Sequence, residues 1–392
     1  MILPWVIQRH LILLCSKRAG LVVAFSLSIV LSDFAQDLTQ PSGPQSAPGP
    51  TLSFAEMQQR VEAASQPAPP WEGPRTGPAG VEGKSIAIIS EDLRNGGILG
   101  VAQGINEAAT AMKWGVKVFD AKGTPSGRDM AAADALASHP DGLILVGADA
   151  KEMQSRLSPF TERGVPVVGW HVGPKAGPMA NSPVAMNVST DPMQVARITA
   201  MAAVVASHGR AGVVIFTDSN FEIAMAKARA MAEVIRSCKE STLLEVRDIA
   251  ISKSAELVPA ATRELLTRYA SQWTQALAIN DIYFDYAVPE LTKAEPLANH
   301  LSLMSAGDGS AAAFLRIQAR IYQTGTVAEP LNLHGWQLVD ELNRLLAHQP
   351  VSGYIIPVHL VTANNVAFDG GPRLQFDPDN GYRAIYRNIW KR

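Results

Sequence analysis

The stretch 213–237, VVIFTDSNFEIAMAKARAMAEVIRS, shows the pattern that governs most of the chain. It opens with an apolar run at 213–216, which is typical of a buried strand. Five mostly polar residues follow. From 222 to 237 apolar residues recur every three to four positions, which predicts a helix. The stretch therefore reads as a strand, a polar loop and a helix in succession.

The same unit recurs along the chain. Further short apolar runs lie at 86–89, 116–119, 143–146, 165–170, 184–188, 243–246, 277–279 and 354–361. Helical periodicity fills most of the intervals, at 98–113, 193–208, 256–270, 311–323 and 335–347. Such alternation indicates mostly parallel sheets with helices on both faces. Because one sheet rarely accommodates about 280 residues of these units, we expect an α/β fold with two doubly wound parallel-sheet lobes.

Composition excludes several classes of protein. The chain has 392 residues, and 34 Lys+Arg against 36 Asp+Glu give a net charge of −2. This balance argues against a nucleic-acid binder that works through a general basic field. Hydrophobic residues make up 47%, enough for a sizeable core, and two cysteines exclude a disulfide-rich scaffold.

Residues 1–35 have the pattern of a secretory signal peptide. Basic residues precede an apolar run at 19–31, which is shorter than the ~20 residues of a spanning helix. We expect cleavage after Ala35 and a location in the periplasm. An uncleaved membrane anchor is the alternative.

Residues 36–83 are predicted to be a linker. They are rich in Pro and Gly, which favours an extended and weakly packed chain. Only 52–65 has helical periodicity, so we expect one short helix there.

Polar and aromatic side chains follow the predicted strands on both halves of the chain. In open α/β sheets, ligands bind beyond the carboxyl ends of the strands. The candidate ligand-binding residues are Glu91, Asp92, Asn95, Trp170, His171, Asp218, Asn220, Phe221, Asn280, Tyr283, Asp308 and Glu329. Helix capping alone would explain Asn95 or Asn220, and a structural role would explain His171. The recurrence of such clusters at strand ends favours a shared ligand site.

The sequence offers little for catalysis. It contains no GxSxG, HExxH or SxxK motif, and no phosphate-binding GxxxxGK[ST] loop. Its histidines lack ligand spacing, and 377–381 lacks the spacing of a calcium loop. We therefore predict that the protein is not an enzyme and has no catalytic residue, metal or cofactor.

Eight motifs occur in a fixed order along the chain: WEGPRTGP at 71–78, DLRNGG at 92–97, GWHVGPK at 169–175, VIFTDSNF at 214–221, INDIYFD at 279–285, SAGDGS at 305–310, VAEPLNLHGWQLVDELN at 327–343 and FDPDNGYR at 376–383. With this ordered set, the chain from 84 to about 365 resembles the ribose-type (type I) periplasmic substrate-binding proteins of ABC importers. It is most similar to a proteobacterial sugar-type subgroup.

The resemblance implies two lobes joined by a three-crossover hinge, with crossovers near Asp191, Glu329 and His359. The first lobe would comprise 84–190 and 329–358, and the second 191–328 and 359–392. It also implies that a small polar ligand binds between the lobes and is delivered to an inner-membrane ABC permease with its ATPase. The protein is expected to act as a monomer. A sensory protein that presents ligand to a chemoreceptor or histidine kinase is the alternative.

Carried over by position, the resemblance keeps the ligand-binding Asn at Asn95, the Asn-Asp pair at 280–281 and the Asp at Asp308. It replaces an Asp-Arg pair by 170–171 and a hinge Gln by Glu329. The stacking aromatics fall on Gly97 and Ile98, and the second-lobe Arg falls near Met225.

Fewer arginines and more acids predict an acidic cleft. Such a cleft suits a neutral or cationic polyhydroxylated ligand, such as a sugar or polyol, and disfavours anions.

Two rival readings fit less well. A repressor on the same fold needs a helix-turn-helix before its first lobe, where this chain has a signal-like run and a Pro-rich stretch. A secreted enzyme would need a nucleophile that no motif supplies.

Overall fold

The structure, a computed structural model, describes residues 52–392 and contains two six-stranded sheets in two lobes. The predicted signal peptide and its cleavage site lie outside the described residues. The first sheet has the order β2-β1-β3-β4-β6-β5 and is parallel except for β5. Its strands are β1 (Ser85–Ser90), β2 (Gly115–Asp120), β3 (Gly142–Val146), β4 (Val167–Trp170), β5 (Gly177–Pro178) and β6 (Met186–Val188).

The second sheet has the order β12-β11-β10-β9-β7-β8 and is parallel except for β12. Its strands are β7 (Gly212–Thr217), β8 (Thr242–Asp248), β9 (Gln275–Ala278), β10 (Ser302–Ser305), β11 (Gln323–Ala328) and β12 (His359–Thr362). The predicted α/β class with two doubly wound lobes is confirmed. Strand order reverses direction within each sheet, which places a crevice at the carboxyl ends of the strands.

Helices cover both faces of the sheets. The first lobe carries α2 (Gly96–Met112), α3 (Pro125–Ala137), α4 (Gln154–Glu162), α10 (Leu331–Leu346) and α12 (Tyr382–Trp390), and the second carries α1 (Phe54–Ala64), α5 (Pro192–Ala206), α6 (Glu222–Ser237), α7 (Ser254–Tyr269), α8 (Ile282–Lys293), α9 (Ala311–Ala319) and α11 (Val366–Gly370). The apolar faces of these helices and the buried strands form the cores of the two lobes.

The C-terminal helix corrects the predicted lobe boundaries, which placed all of 359–392 in the second lobe. Helix α12 packs in the core of the first lobe, where Trp390 stacks on Trp336 with ring centroids 5.4 Å apart. The Trp390 Nε1–H also donates to Asp340 Oδ1 at 2.8 Å. One stripe on α12 explains this position, because its buried rings Tyr382, Tyr386 and Trp390 pack around Trp336 of α10.

The stretch predicted to be a weakly packed linker contacts both lobes. Helix α1 lies against α5, with Met57 buried in the second-lobe core. A few residues later Trp71 is buried in the first-lobe core, against Tyr354 and Tyr386. We call the segment 52–83 the N-terminal strap.

The strap and the C-terminal helix raise the number of passages between the lobes. Within 52–392 the chain passes between them five times, near Pro70, Thr190, Pro330, Pro357 and Pro378, rather than at the three predicted crossovers.

Helices α2 and α10 approach closely enough to touch through their backbones. A Cβ at Gly104 would lie 2.7 Å from the Asn332 carbonyl oxygen, and one at Gly335 would clash with the backbone of Gly104 and Ile105. Overpacking of this kind has no flexible side chain to absorb it. We therefore expect Gly335→Ala to lower the free energy of unfolding by about 2–3 kcal/mol in urea denaturation.

The exposed neighbour Gln103 supplies the control. Gln103→Ala should change the unfolding free energy by less than about 0.5 kcal/mol. Equal stability of Gly335→Ala and the wild type would contradict the close helix contact.

Candidate functional site

A cavity of about 350 Å³ lies between the lobes and takes its lining from both. Its volume is in the usual range of small-molecule sites. The lobes meet around it: a Cβ at Gly123 would lie 2.7 Å from Ser252 Cβ, and one at Gly96 would lie 2.9 Å from Ser310 Cβ. The lobes are therefore in contact beside the cavity, in a closed arrangement.

Most of the predicted site residues converge on this cavity. Those that line it are Glu91, Asp92, Asn95, Trp170, His171, Asp218, Asn220, Phe221, Asn280 and Asp308. They come together because the strand ends of both sheets face the same crevice.

Two predicted site residues do not line the cavity. Tyr283 is fully buried in the second-lobe core, where its hydroxyl donates to the Ile249 carbonyl at 2.7 Å and its ring stacks on Phe216. Burial raises the pKa of Tyr283 well above its usual value. Glu329 is also fully buried and lies behind the site, where its side chain contacts His171 and its backbone N–H donates to the Asp308 carbonyl at 3.0 Å.

The inner end of the cavity is polar and joins the two lobes. Asn280 Nδ2 donates to Asp308 Oδ2 at 2.7 Å, and Lys227 Nζ donates to the Ala306 carbonyl at 2.9 Å. From the first lobe, His171 places Nδ1 3.8 Å from Asp308 Oδ1. Burial raises the pKa of Asp308 to about 6, although the nearby His171 and Lys227 oppose the shift.

Behind this end, a buried chain of side chains positions His171. The His171 Nε2 donates to Glu329 Oε1 at 3.0 Å, and the Thr190 N–H donates to Glu329 Oε2 at 3.3 Å. Burial alone raises the pKa of Glu329, but the facing imidazole outweighs it and the pKa is about 2. Glu329 is therefore a carboxylate throughout the ordinary pH range.

Trp170 uses both its ring face and its N–H within the protein. Its ring stacks on His171 at a centroid distance of 3.7 Å, and Nε1 donates to His334 Nδ1 at 3.1 Å. Burial lowers the pKa of His334 to about 4, so its imidazole is neutral and Nδ1 is free to accept. Trp170, predicted to bind the ligand, lines the cavity, but one face of its indole covers His171.

The cavity also contains a cation that the sequence analysis did not identify. Arg128 donates to both carboxylate oxygens of Glu91, at 2.8 and 2.7 Å, and its guanidinium lies 5.8 Å from the Phe221 ring centroid of the other lobe. The cavity is therefore less acidic than the sequence predicted, because Arg128 and Lys227 both line it. Both lie inside helices, α3 and α6, where a search of strand ends does not reach.

Asp218 serves mainly to hold its own loop. Its Oδ1 accepts from the Asn220 N–H at 2.9 Å, and its Oδ2 accepts from the Ile251 N–H at 2.7 Å. Burial nevertheless raises its pKa.

No cluster of three or more His, Cys, Asp or Glu side chains suited to a metal ion occurs in residues 52–392. In the same range, no helix is both long and apolar enough to cross a membrane.

Comparison with known proteins identifies the family. The family model described as "Periplasmic binding protein domain" matches residues 86–350. The chain belongs to this family. It is a family of solute-binding proteins rather than enzymes, and membership implies a periplasmic location.

Solved structures of similar fold support the type I architecture of this periplasmic binding protein. An ABC transporter solute-binding protein from Agrobacterium vitis with bound allitol superposes with a TM-score of 0.63 at 16% identity, covering 73% of this chain and 97% of its own. A second from Agrobacterium vitis, bound with alpha-D-tagatopyranose, gives 0.66 at 13% identity, with coverage of 75% and 99%. One from Bacillus halodurans C-125 with bound myo-inositol gives 0.62 at 14%, with coverage of 74% and 98%.

No curated protein matches the chain. The resemblance to type I periplasmic binding proteins is confirmed, while the proteobacterial subgroup stays a prediction.

Proposed function

We propose that this periplasmic binding protein captures a small neutral polyhydroxylated solute, a sugar or polyol, between its lobes and delivers it to an ABC permease. The observation that carries the proposal is a closed cavity whose polar inner end takes His171 from one lobe and Asn280 and Asp308 from the other. A solute that satisfies both halves favours closure, because neither lobe alone completes its hydrogen bonds.

The charges of the cavity favour a neutral solute. Arg128 is neutralised by Glu91, and Arg94 binds Asp92 at 2.6 Å. Asp308 and Lys227 remain at the inner end, so hydroxyl groups that donate to one and accept from the other suit it best. An anion would meet the Asp308 carboxylate in a desolvated site, where like charges repel strongly.

Apolar side chains complete the fit. Ile98, Phe221 and Ile223 line the same cavity and offer a surface for the C–H face of a sugar ring. Three structural neighbours were solved with allitol, tagatopyranose and myo-inositol, which have this mixed character.

The proposal extends to the transport cycle. The closed form, acting as a monomer, would be recognised by an inner-membrane permease with its ATPase. Export by the signal peptide at 1–35, with cleavage after Ala35, belongs to the same proposal. Deleting the gene should abolish uptake of the radiolabelled solute in the native host.

A thermal-shift screen tests the ligand class. Allitol, D-tagatose and myo-inositol are compared with the anions D-gluconate and phosphate. At 100 times its Kd, a ligand adds about 2.7 kcal/mol to the unfolding free energy, which is a shift of several degrees. We expect at least one neutral polyol to give this shift. Stabilisation by the anions alone would overturn the proposal.

A further inference from the structure

His171 occupies an unusual backbone position at the cavity. Its φ is +52°, in the left-handed region that non-glycine residues rarely adopt. Its ring is clamped between the Trp170 indole, 3.7 Å away, and the carboxylate of Glu329 at Nε2. Strained residues that the surroundings hold in place cluster at ligand sites. These contacts fix one edge of the imidazole, and its Nδ1 faces Asp308.

The distance between His171 Nδ1 and Asp308 Oδ1 is 3.8 Å, which is too long for a direct hydrogen bond. The two atoms belong to different lobes, and both residues line the cavity. Asp308 Oδ2 is already engaged by Asn280. Within 52–392, neither Nδ1 of His171 nor Oδ1 of Asp308 has another hydrogen-bond partner. In the closed cavity, His171 Nδ1 and Asp308 Oδ1 are therefore both available to a group placed between them.

We propose that one hydroxyl group of the solute lies between His171 Nδ1 and Asp308 Oδ1 and hydrogen-bonds to both. The inference rests on the proposed function and makes it more specific. When the imidazole carries the proton, the hydroxyl accepts from Nδ1 and donates to the carboxylate. When the carboxyl carries it, the hydroxyl accepts from Asp308 and donates to Nδ1. A hydroxyl meets both cases because it donates and accepts at once.

This pair makes a specificity filter at one position of the solute. When the pair shares one proton, a fluorine, ether or carbonyl oxygen only accepts and an ammonium group only donates, so each leaves one of the two groups unpaired. Because the two partners come from opposite lobes, the same hydroxyl also couples recognition to closure.

Calorimetry on four proteins tests the pair: the wild type, His171→Asn, Asp308→Asn and the double variant. Asparagine tolerates the left-handed backbone at 171. The probe is whichever of allitol, D-tagatose and myo-inositol binds the wild type most tightly. We expect each single variant to weaken binding by about 10- to 100-fold, the range for hydrogen bonds to charged groups. The double variant should be within about 3-fold of the weaker single variant, because all lose the same hydroxyl.

Monodeoxy and monofluoro derivatives of the probe locate the hydroxyl. At one position, both derivatives should bind the wild type about 10- to 100-fold more weakly but lose little further affinity in the double variant. A purely structural role for His171 would not distinguish among hydroxyl positions.

His139→Asn is the matched control. His139 is exposed and has a φ of +49°, so the same change is made in the same backbone region away from the cavity. It should leave affinity unchanged. Additive penalties, or equal losses at every hydroxyl, would overturn the inference while the proposed function stands. Failure of all three polyols to bind the wild type would overturn both.

Discussion

Asp308→Asn is expected to weaken polyol binding by about 10- to 100-fold and yet stabilise the unliganded protein. The loss of affinity follows from removing a charged hydrogen-bond partner at the polar end of the cavity. The gain in stability follows from burial. In the closed arrangement of the lobes, the Asp308 side chain is desolvated and its pKa rises from 3.8 to about 6, so the gain in stability is that of the closed form.

The sign of the pH dependence follows from that shift. A carboxyl whose folded pKa is raised binds its proton more tightly in the folded state. Its destabilising effect is therefore absent below about pH 4, grows between about pH 4 and 6, and is complete above that range. At about 1.4 kcal/mol per pKa unit, the full effect at pH 7 is up to about 3 kcal/mol. Asparagine, which does not ionise, removes it.

Urea unfolding at pH 4, 5.5 and 7 measures this directly. The stability of Asp308→Asn relative to the wild type should rise from near zero at pH 4 to about 2–3 kcal/mol at pH 7. Asp134→Asn, on the exposed face of α3, provides the control and should stay within about 0.5 kcal/mol at each pH. A difference that does not change with pH would show that the Asp308 carboxylate is not the destabilising group.

The features of this molecule that could be predicted from the sequence are those that follow from a local pattern. Strand and helix alternate in the sequence because each apolar face must be buried, and this determines the two-lobed α/β fold. Parallel strands end at the same edge, so residues that follow them, such as Asn95, Asn280 and Asp308, were predicted to meet and do line one cavity.

The features that could not be predicted depend on the direction in which a side chain points and on tertiary packing. Tyr283 lies just beyond a strand end, but it is in the first turn of α8 and points into the core. Arg128 and Lys227 reach the cavity from inside helices, and no strand-end search identifies them. The apolar run at 354–361 predicted a strand, but β12 begins only at His359, because Tyr354 and Ile356 pack in the first-lobe core without strand pairing.

The N-terminal strap differs most from the sequence prediction. Pro and Gly content indicates the stiffness of a segment, but it does not indicate what the segment packs against. Between Trp71 and the start of β1, the strap is fixed by specific hydrogen bonds. Arg344 Nη2 donates to the Thr76 carbonyl at 2.8 Å, and the Val81 N–H donates to Asn343 Oδ1 at 2.9 Å. A Pro-rich connection then joins this first-lobe anchor to α1 on the second lobe. The strap is therefore part of the folded unit.

Trp71→Ala is expected to lower the free energy of unfolding by about 3–5 kcal/mol. The indole is 4% exposed and lies between Tyr354 and Tyr386, at centroid distances of 5.2 and 5.4 Å, so its removal leaves a cavity that neighbouring rings cannot fill. Urea unfolding of the unliganded protein measures the loss. The exposed neighbour Glu72 gives the control, since Glu72→Ala should change stability by less than about 0.5 kcal/mol.

The same variant also tests whether the strap and the first lobe unfold together. If they do, Trp71→Ala lowers the midpoint of a single unfolding transition without creating a second one. It should also speed tryptic cleavage after the exposed Arg75, because loss of the indole anchor frees the strap from α10. A loss below about 1 kcal/mol with unchanged cleavage would mean that the strap rests on the lobe without contributing to its stability. The two lobes would then move relative to each other as if they were joined only by the three crossovers expected from the sequence.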